Sequence, residues 1–279
     1  MIEYLCHIVA YAATEIARLC LWLALLTCVL LPLERLFSLH RGKILRDGVF
    51  VDLGYYFLNG LLPALLLSAP LGLVAWLTHA IVPPGLHATV AEAPLWARAA
   101  CAFVLGDLGY YWGHRCLHAV PFLWRFHAIH HSARKIDFLV NTRAHPVDMV
   151  FSRLSGLIPL YVFGLASPDE AAGGALPVAV VVAGKAWSYF IHANLRWRYG
   201  PLVWVVSTPH FHHWHHNLNG NISQNYASML PVLDLVFGTF YAPGGKWPAD
   251  YGIPEPMPEA LGEQLIAPFL ETPPVIRDK

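Results

Sequence analysis

Five long apolar stretches constrain the fold of this chain more than any other feature of its sequence. They cover residues 4–33, 49–67, 97–112, 147–165 and 171–191. About 20 apolar residues cross the hydrocarbon layer of a membrane as one helix. The pattern therefore predicts an all-α fold, a multi-pass membrane helical bundle with about four to five crossings. The second run continues beyond residue 67 but contains Pro63 and Pro70, so we expect a kinked or interfacial helix from Leu71.

Composition excludes several classes of protein. Of the 279 residues, 56% are hydrophobic and only 13% are charged, which is far from the balance of an ordinary soluble domain. The formal net charge is zero, so nothing points to a nucleic-acid partner. The five cysteines form no C-x-x-C pair and are odd in number, which disfavours a disulfide framework or a thiolate cluster. Because no low-complexity linker interrupts the chain, residues 1–279 are predicted to form a single membrane-embedded domain.

Basic residues follow some of the apolar stretches and not others. They are concentrated in residues 34–48, in residues 113–146 and from residue 194 onward, whereas the connectors 83–96 and 166–170 are acidic or neutral. Cytoplasmic loops of membrane proteins carry the excess of lysine and arginine. We therefore predict an integral membrane protein with its N-terminus outside and its C-terminus in the cytoplasm. The first stretch lacks a basic n-region and is too long for a cleavable signal, so it is expected to be a membrane helix.

Histidines recur at a fixed spacing in two distant segments. The first segment contains an H-x-x-x-H pair followed by an H-x-x-H-H box, and the second contains another H-x-x-H-H box. The histidines concerned are His114 and His118, then His127, His130 and His131, then His212, His215 and His216. Residues three and four apart lie on one face of a helix. Each box can therefore supply up to three ring nitrogens to a common centre, and the predicted orientation places both segments on the cytoplasmic side, as a histidine-rich metal-binding cap.

This spacing predicts metal binding. Neutral imidazole is the commonest protein ligand for metals and suits iron, zinc, copper and nickel. A single zinc takes about four ligands, whereas these boxes offer eight, so the count favours two metals. A chelating tract or a surface bias could also account for many of the 16 histidines. Isolated histidines are expected to be structural, namely His7, His40, His79 and His87.

Asp107 and Lys185 are two of the charged residues that fall inside the apolar stretches. Asp107 lies on one helical stripe with Tyr111, His114 and His118, where a carboxylate is costly and tends to be functional. We predict that Asp107 fixes the orientation of a histidine from another helix, with a structural hydrogen bond to a neighbouring helix as the alternative. Lys185 can either extend towards the membrane surface or line a polar cavity.

Several segments are similar to one known family. Residues 107–118, DLGYYWGHRCLH, and residues 123–132, LWRFHAIHHS, resemble the first two histidine boxes of the fatty acid hydroxylase/sterol desaturase superfamily. The box at residues 208–216, together with Asn225-Tyr226 and residues 233–240, LDLVFGTF, resembles the C-terminal signature of the same superfamily. The resemblance implies an integral membrane oxidoreductase with a histidine-rich centre that holds two iron ions.

The resemblance also implies roles for single residues. It implies nine metal ligands, including one between the second and third boxes: His114, His118, His127, His130, His131, His192, His212, His215 and His216. Some members have a further histidine one turn before His192. Here that position is Ser188, which leaves one coordination position to water, substrate or another residue. Five residues are expected to support the ligands rather than bind metal: Asp107, His145, His210, His213 and Asp234. His210 and His213 lie outside the repeated spacing, and a structural role is the alternative for them. Of these, His145 in an R-x-H-P element is also a candidate ligand, although a supporting or folding role is preferred.

The same resemblance divides the chain and suggests its chemistry. It implies N-terminal membrane helices in residues 1–96, a catalytic region in residues 97–255 and a proline-rich C-terminal tail in residues 256–279. The family uses O2 and reducing equivalents to hydroxylate or desaturate lipids, so the expected substrate is a fatty acyl chain, a sterol or a related lipid. No cytochrome b5-like or flavin-binding segment is evident. The electrons are therefore expected from a separate partner, such as a cytochrome b5-like protein, a ferredoxin or a reductase.

Other classes of protein stay open at this point. A zinc-dependent membrane lipid hydrolase needs three protein ligands and a free position on the metal, which would leave most of these histidines surplus. A metal-binding transport protein needs polar groups along several crossings, whereas these are clustered at one face. A carboxylate-bridged di-iron bundle would show Glu-x-x-His pairs on two helices, and the sequence has none.

Overall fold

The computed structural model describes residues 2–166, 175–220 and 222–270. Within these ranges the protein is helical, and β pairing is confined to two isolated antiparallel bridges, Ser38 with Leu195 and Asn217 with Tyr251. The α-helices are, in order, α1 (Ile2–Leu36), α2 (Val49–Leu61), α3 (Pro63–Ile81), α4 (Pro84–Glu92), α5 (Leu95–Ala119), α6 (Pro121–His131), α7 (Pro146–Val162), α8 (Ala175–His192), α9 (Pro209–His215), α10 (Val232–Val236) and α11 (Leu261–Leu270). Two 3-10 helices lie in the connections, at Phe138–Thr142 and Gly200–Trp204. The all-α prediction is confirmed for the described part of the chain.

Helices occupy all five apolar stretches that were predicted to cross a membrane. Among the described residues, one helix is long and apolar enough by itself, over Val9–Leu36 in α1. Val49–Leu61 and Leu65–Ile81 meet the same criteria only as a pair, and the two are bent by 46°. The other three stretches correspond to α5, α7 and α8, which are shorter or carry charged residues. The count of five crossings and the cytoplasmic position of the histidines stay predictions.

Three helix boundaries differ from the expectation. The second crossing was expected to end near Leu67, but α2 ends at Leu61, because Pro63 has no backbone N–H to continue it and begins α3 instead. The connector at residues 83–96 contains α4, and the predicted tail contains α11. Parts of three predicted segments lie outside the described residues: 167–170 of the acidic turn, 171–174 of the fifth stretch and 271–279 of the tail.

Proline starts the helices that carry two of the histidine boxes and the helix beside them. It occupies the first position of α6 at Pro121, of α7 at Pro146 and of α9 at Pro209. The fixed φ of proline suits this position, and its missing N–H is not needed there. At α9 the hydroxyl of Thr208 also accepts the backbone N–H of Phe211 at 3.2 Å. These signals begin the helix at Pro209, three residues before the first histidine of the third box, His212.

Helices α5 and α7 pack against each other more extensively than any other pair of described helices. Two glycines of α5 make this possible. A Cβ added to Gly109 would overlap the backbone carbonyl oxygen of Ser155, and one added to Gly113 would overlap the side chain of the same serine. Because α5 also carries His114 and His118, the contact with α7 fixes the position of the first histidine pair.

A buried ion-pair cluster joins α2 to the segment after α6. Asp52 is fully buried and accepts from Arg46 Nη2 at 2.6 Å and from Arg143 Nε at 2.6 Å. Arg46 also donates to Asp137, from Nε at 2.5 Å and from Nη2 at 2.7 Å. Removing one member of such a cluster leaves a buried charge without its partner, which is strongly destabilising. The cluster therefore holds Arg143 in place.

The substitution Gly109→Ala should force α5 and α7 apart, because the added methyl group meets backbone rather than a flexible side chain. Overpacking of this kind costs about 1–3 kcal/mol. We expect a lower midpoint of thermal unfolding for the purified protein. The matched control is Gly72→Ala in α3, where an added Cβ meets no atom within 4 Å. The control should be neutral or stabilising by up to about 1 kcal/mol. Equal midpoints for the two variants would contradict the packing described above.

Candidate metal centre

Nine buried histidines lie in two groups, and they are the nine histidines predicted to bind metal. The first group consists of His114, His118, His127, His131 and His215, and the second of His130, His192, His212 and His216. Within each group, one ring nitrogen from every member lies within 4.8 Å of those of the others. Among the described residues, no carboxylate and no thiol belongs to either group. Segments far apart in the sequence therefore meet at two all-imidazole positions.

Each H-x-x-H-H box is divided between the two groups. This corrects the expectation that one box serves one common centre. In α6 the first and last histidines of the box, His127 and His131, belong to the first group, and the middle one belongs to the second. The box at α9 reverses this, since its first and last histidines lie in the second group and its middle one in the first. Successive helix residues are about 100° apart, so residues four apart point almost the same way and the one between them faces elsewhere.

The two groups lie side by side. The ring of His131, in the first group, stacks on the ring of His216, in the second, with centroids 4.5 Å apart and an angle of 26° between the planes. The ring of His130 lies 4.8 Å from His216 and 5.4 Å from His131. Members of the two groups are thus in direct contact, and two metals held by them would be neighbours.

Hydrogen bonds at Nδ1 fix the orientation of five of the nine rings. His127 donates from Nδ1 to the carboxylate of Asp148 at 3.0 Å. Four others donate to backbone carbonyl oxygens: His114 to Tyr226 at 2.8 Å, His130 to Arg143 at 3.1 Å, His192 to Ser188 at 2.7 Å and His215 to Gln224 at 2.6 Å. A carbonyl oxygen can only accept, so Nδ1 carries the proton and Nε2 presents a lone pair.

Inside each group, the Nε2 atoms face one another. In the first group, Nε2 of His127 lies 3.1 Å from that of His114 and 3.2 Å from that of His131. In the second group, Nε2 of His212 lies 2.9 Å from that of His192. Where Nδ1 carries the proton on both rings, the two Nε2 lone pairs repel each other unless a cation lies between them.

Several ring nitrogens have no hydrogen-bond partner among the described residues, and they test whether a metal fits. They include both nitrogens of His118 and Nε2 of His215, all buried. A buried polar atom without a partner costs about 1–3 kcal/mol. A cation bound to these lone pairs would offset that cost, and an imidazole donor set suits iron. The residues present therefore fit two metal ions, and nine ligands exceed what a single zinc takes.

Burial keeps these imidazoles neutral. It lowers the pKa of His131, His215 and His216 well below the ordinary value of a histidine, and the neighbouring rings lower it further. Metals bind the neutral form of imidazole. At neutral pH the protein therefore does not have to release a proton from these rings before a metal binds.

Asp107 does not hold a histidine, which corrects the first of the two roles predicted for it. Its carboxylate accepts the backbone N–H of Met229 at 3.1 Å and of Leu230 at 2.7 Å. The alternative role, a structural hydrogen bond, describes it better. The partner is the loop before α10 rather than another helix.

Asp234 holds the same loop from the other side. It accepts the backbone N–H of Tyr226 at 2.8 Å and of Ala227 at 2.9 Å, and the hydroxyl of Thr239 at 2.7 Å. The carbonyl of Tyr226 in turn accepts from His114. Asp234 therefore acts on a predicted ligand through one peptide unit, in agreement with a supporting role.

The three other histidines expected to support the ligands make contacts outside the two groups. The ring of His145 accepts the backbone N–H of Val147 at 3.1 Å. The ring of His210 binds the carbonyl oxygen of Lys246 at 2.8 Å, and that of His213 binds the hydroxyl of Tyr251 at 3.0 Å. The ring of His145 caps the start of α7, which is the folding role that was preferred for it. His210 supports the loop around residue 246 rather than a ligand, which corresponds to the structural alternative for it. His213 joins α9 to the C-terminal region.

Asp148 is the functional residue that sequence reasoning missed. It lies in the first turn of α7, where it is buried, and its second oxygen accepts from the hydroxyl of Ser152 at 3.1 Å. A carboxylate that fixes a ligand imidazole in this way commonly increases metal affinity. Asp148 could have been found by the same signal as Asp107, because it is also a carboxylate inside an apolar stretch. It lies two residues after Pro146.

An apolar cavity of about 270 Å³ opens onto both groups. Its apolar walls come from α5, α7 and α8 and include Phe103, Leu157, Leu160, Val180, Val181 and Ile191. Five of the nine histidines line it: His114, His127, His130, His192 and His212. Ser188 lines it as well, with its hydroxyl bonded to Asn141. Since the other four histidines are not among the lining residues, a molecule in the cavity reaches both groups from one side.

Comparison with known proteins identifies the family. The family model for fatty acid hydroxylases matches residues 99–239. Ornithine lipid hydroxylase OlsE of Rhizobium tropici is 31% identical over 244 residues, which are 85% of this chain and 71% of that protein. The chain belongs to the fatty acid hydroxylase family, as the resemblance of its histidine boxes indicated.

More distant relatives share only part of their length with this chain. Alkylglycerol monooxygenase of Homo sapiens is 30% identical over 161 residues, 56% of this chain, and the chain spans only 33% of that protein. Methylsterol monooxygenase 2-2 of Arabidopsis thaliana is 26% identical over 137 residues, 49% of this chain and 50% of that protein. No solved structure matches the chain.

The contact between Asp148 and His127 predicts the effect of Asp148→Asn. Loss of the carboxylate weakens the hydrogen bond that orients His127, and changes of this kind cost about 10–100-fold in metal affinity. We expect that loss in a chelator competition with Fe(II). The control is Asp47→Asn, because the Asp47 side chain is fully exposed and its ion pair with Lys135 is 3.5 Å long. An Asp148→Asn protein that retains metal as well as the control would contradict the supporting role of Asp148.

Proposed function

We propose that this protein is a membrane-embedded oxidoreductase that uses O2 and two iron ions to oxidise a lipid. The observation that carries the proposal is the arrangement of nine buried imidazoles in two adjacent groups that open on an apolar cavity. The printed names of the three relatives described above are those of hydroxylases or monooxygenases of lipids. These names favour hydroxylation of the substrate over its desaturation.

The two groups supply the ligands of the two metals. His114, His118, His127, His131 and His215 would hold one iron, and His130, His192, His212 and His216 the other. The second group is the one next to Ser188, where some family members have a further histidine. Its smaller ligand number leaves a coordination position on the side of the cavity. When bound, the irons supply the O2-dependent oxidation of a C–H bond, which takes two electrons and two protons in addition to O2 and the lipid.

The protein's own residues position the ligands and the substrate. The Nδ1 hydrogen bonds to carbonyl oxygens and to Asp148 hold the rings with Nε2 towards the metals, so little reorganisation is needed at the moment of reaction. The walls of the cavity are apolar, which favours the hydrocarbon part of a lipid and limits water next to the metals. The chain thus contributes orientation and exclusion of side reactions rather than an acid–base residue.

We further propose the orientation and the partners of this enzyme. The distribution of basic segments supports a position of the histidines at the cytoplasmic side of the membrane, and the substrate would enter from the bilayer. Electrons come from a separate electron-transfer protein, a cytochrome b5-like protein, a ferredoxin or a reductase. A zinc-dependent lipid hydrolase is the second candidate, but it would use only three or four of nine convergent imidazoles.

Metal analysis of purified protein tests the proposal. We expect about two irons per chain, since there are two ligand groups. His215→Ala removes a ligand of the first group and His130→Ala one of the second, so each variant should lose iron and its oxidised lipid product. His210→Ala, whose ring binds the loop at Lys246, should keep both irons. The readouts are elemental analysis and mass spectrometry of lipids from cells with and without the gene.

Three results would count against the proposal. One zinc per chain without iron would favour the hydrolase. Full iron content in His130→Ala and His215→Ala would show that the two groups do not hold the metals. An unchanged lipid profile on expression of an iron-loaded protein would exclude lipid oxidation under those conditions of substrate supply.

A further inference from the structure

Two cations line the cavity at a distance from the histidines. They are Arg153 of α7 and Lys185 of α8. Lys185 precedes His192 by seven residues, which is about 10 Å along a helix. Arg153 follows Asp148 by five residues, or about 7 Å along α7. The two cations therefore line the cavity one to two helical turns from its histidine end, and apolar lining residues such as Leu157 and Val180 lie beyond them.

In the described part of the chain, neither cation has a carboxylate partner. Among the described residues, no ion pair includes Arg153 or Lys185. The carboxylates that line the cavity are already bonded elsewhere, Asp107 to backbone N–H groups and Asp148 to His127. A cation in an apolar cavity without a partner is costly, and charged residues retained in such places are typically functional.

Other positive charge adds to this effect. Arg153 and Lys185 line the same cavity, so their positive charges add, and Arg18 of α1 is within electrostatic range of Lys185. Arg18 is itself paired with Glu15. The part of the cavity one to two helical turns from the histidines therefore carries an excess of positive charge, which an incoming anion would neutralise.

We infer that Arg153 and Lys185 bind an anionic group of the lipid, a carboxylate or a phosphate. This inference rests on the proposed function, because it assigns the lipid to the same cavity. A guanidinium binds either anion through two parallel N–H groups, and an ammonium adds a compact charge. The lining between the cations and the histidines includes the apolar side chains of Met149 and Ile191, and the apolar wall continues beyond the cations at Leu157 and Val180. The oxidised carbon is therefore located in the hydrocarbon part, on the order of eight single bonds from the anion.

Equilibrium binding to iron-loaded protein in detergent tests this assignment without requiring turnover. The probes are three radiolabelled lipids with one and the same long alkyl chain, which end in a carboxylate, in a phosphate monoester or in an uncharged methyl ester. The unsubstituted protein should bind at least one of the two anionic lipids about tenfold more tightly than the ester, the equivalent of about 1.4 kcal/mol. The anion that shows the larger preference identifies the group that the site takes.

Substitutions then locate the preference. The double variant Arg153→Gln/Lys185→Gln should lose the preference for the anionic lipid and keep the affinity for the ester. Lys185→Arg retains a cation and should retain the preference. Lys43→Gln removes an exposed cation from the connection between α1 and α2, outside the cavity lining, and should change nothing. If the double variant does not fold, Lys185→Gln alone replaces it in the binding test. This single variant should lose part of the preference for the anionic lipid.

The outcomes separate the inference from the proposed function. An unsubstituted protein that binds all three lipids equally, or glutamine variants that keep the anion preference, would overturn the inference. In the latter case Lys185 extends away from the cavity towards the membrane surface. Failure of the iron-loaded protein to oxidise any lipid would instead contradict the proposed function, and the binding result would stand independently of it.

Discussion

The structure depends on the desolvation of imidazole lone pairs. Rings are buried with Nε2 atoms about 3 Å apart, as in His127 with His114 and His212 with His192. Where both rings carry their proton on Nδ1, such a contact brings two buried lone pairs together, which is unfavourable unless a cation lies between them. The free energy of metal binding is therefore coupled to the packing of α5, α6, α8 and α9. Apolar contacts between the helices do not by themselves favour a cluster of buried imidazoles.

Backbone carbonyl oxygens orient four of the five rings that are fixed through Nδ1. Buried carboxylates in turn hold the segments that carry some of these carbonyls. Asp107 and Asp234 bind the loop whose Tyr226 carbonyl accepts from His114. Asp52 binds Arg143, whose carbonyl accepts from His130. These three carboxylates act through the loop or the arginine that they hold, whereas Asp148 contacts a ligand ring directly. This indirect arrangement keeps negative charge out of both metal positions, so the ligand sets consist of neutral imidazoles.

The set of nine histidines could be predicted from sequence because their spacing expresses helical periodicity and matches a known family. Their division between two groups could not, because it depends on how α6 and α9 face each other across the site. The role of Asp148 could not be predicted for a related reason, since only the fold brings the start of α7 next to His127. The same limit explains Asp107, whose partners at Met229 and Leu230 are more than a hundred residues away. The number of membrane crossings rests on local composition, and there the sequence remains the main support.

Helix α7 connects the metal positions with the cavity although it contributes no ligand. Its first turn carries Asp148 against His127, its middle carries Arg153 in the cavity wall, and Ser155 packs against Gly109 of α5. A shift of α7 would therefore change the orientation of a ligand and the space for the lipid together. Helix α9 differs, because only one of its histidines lines the cavity. Changes in α9 should alter metal binding with little effect on lipid recognition, so the two properties can be separated by helix.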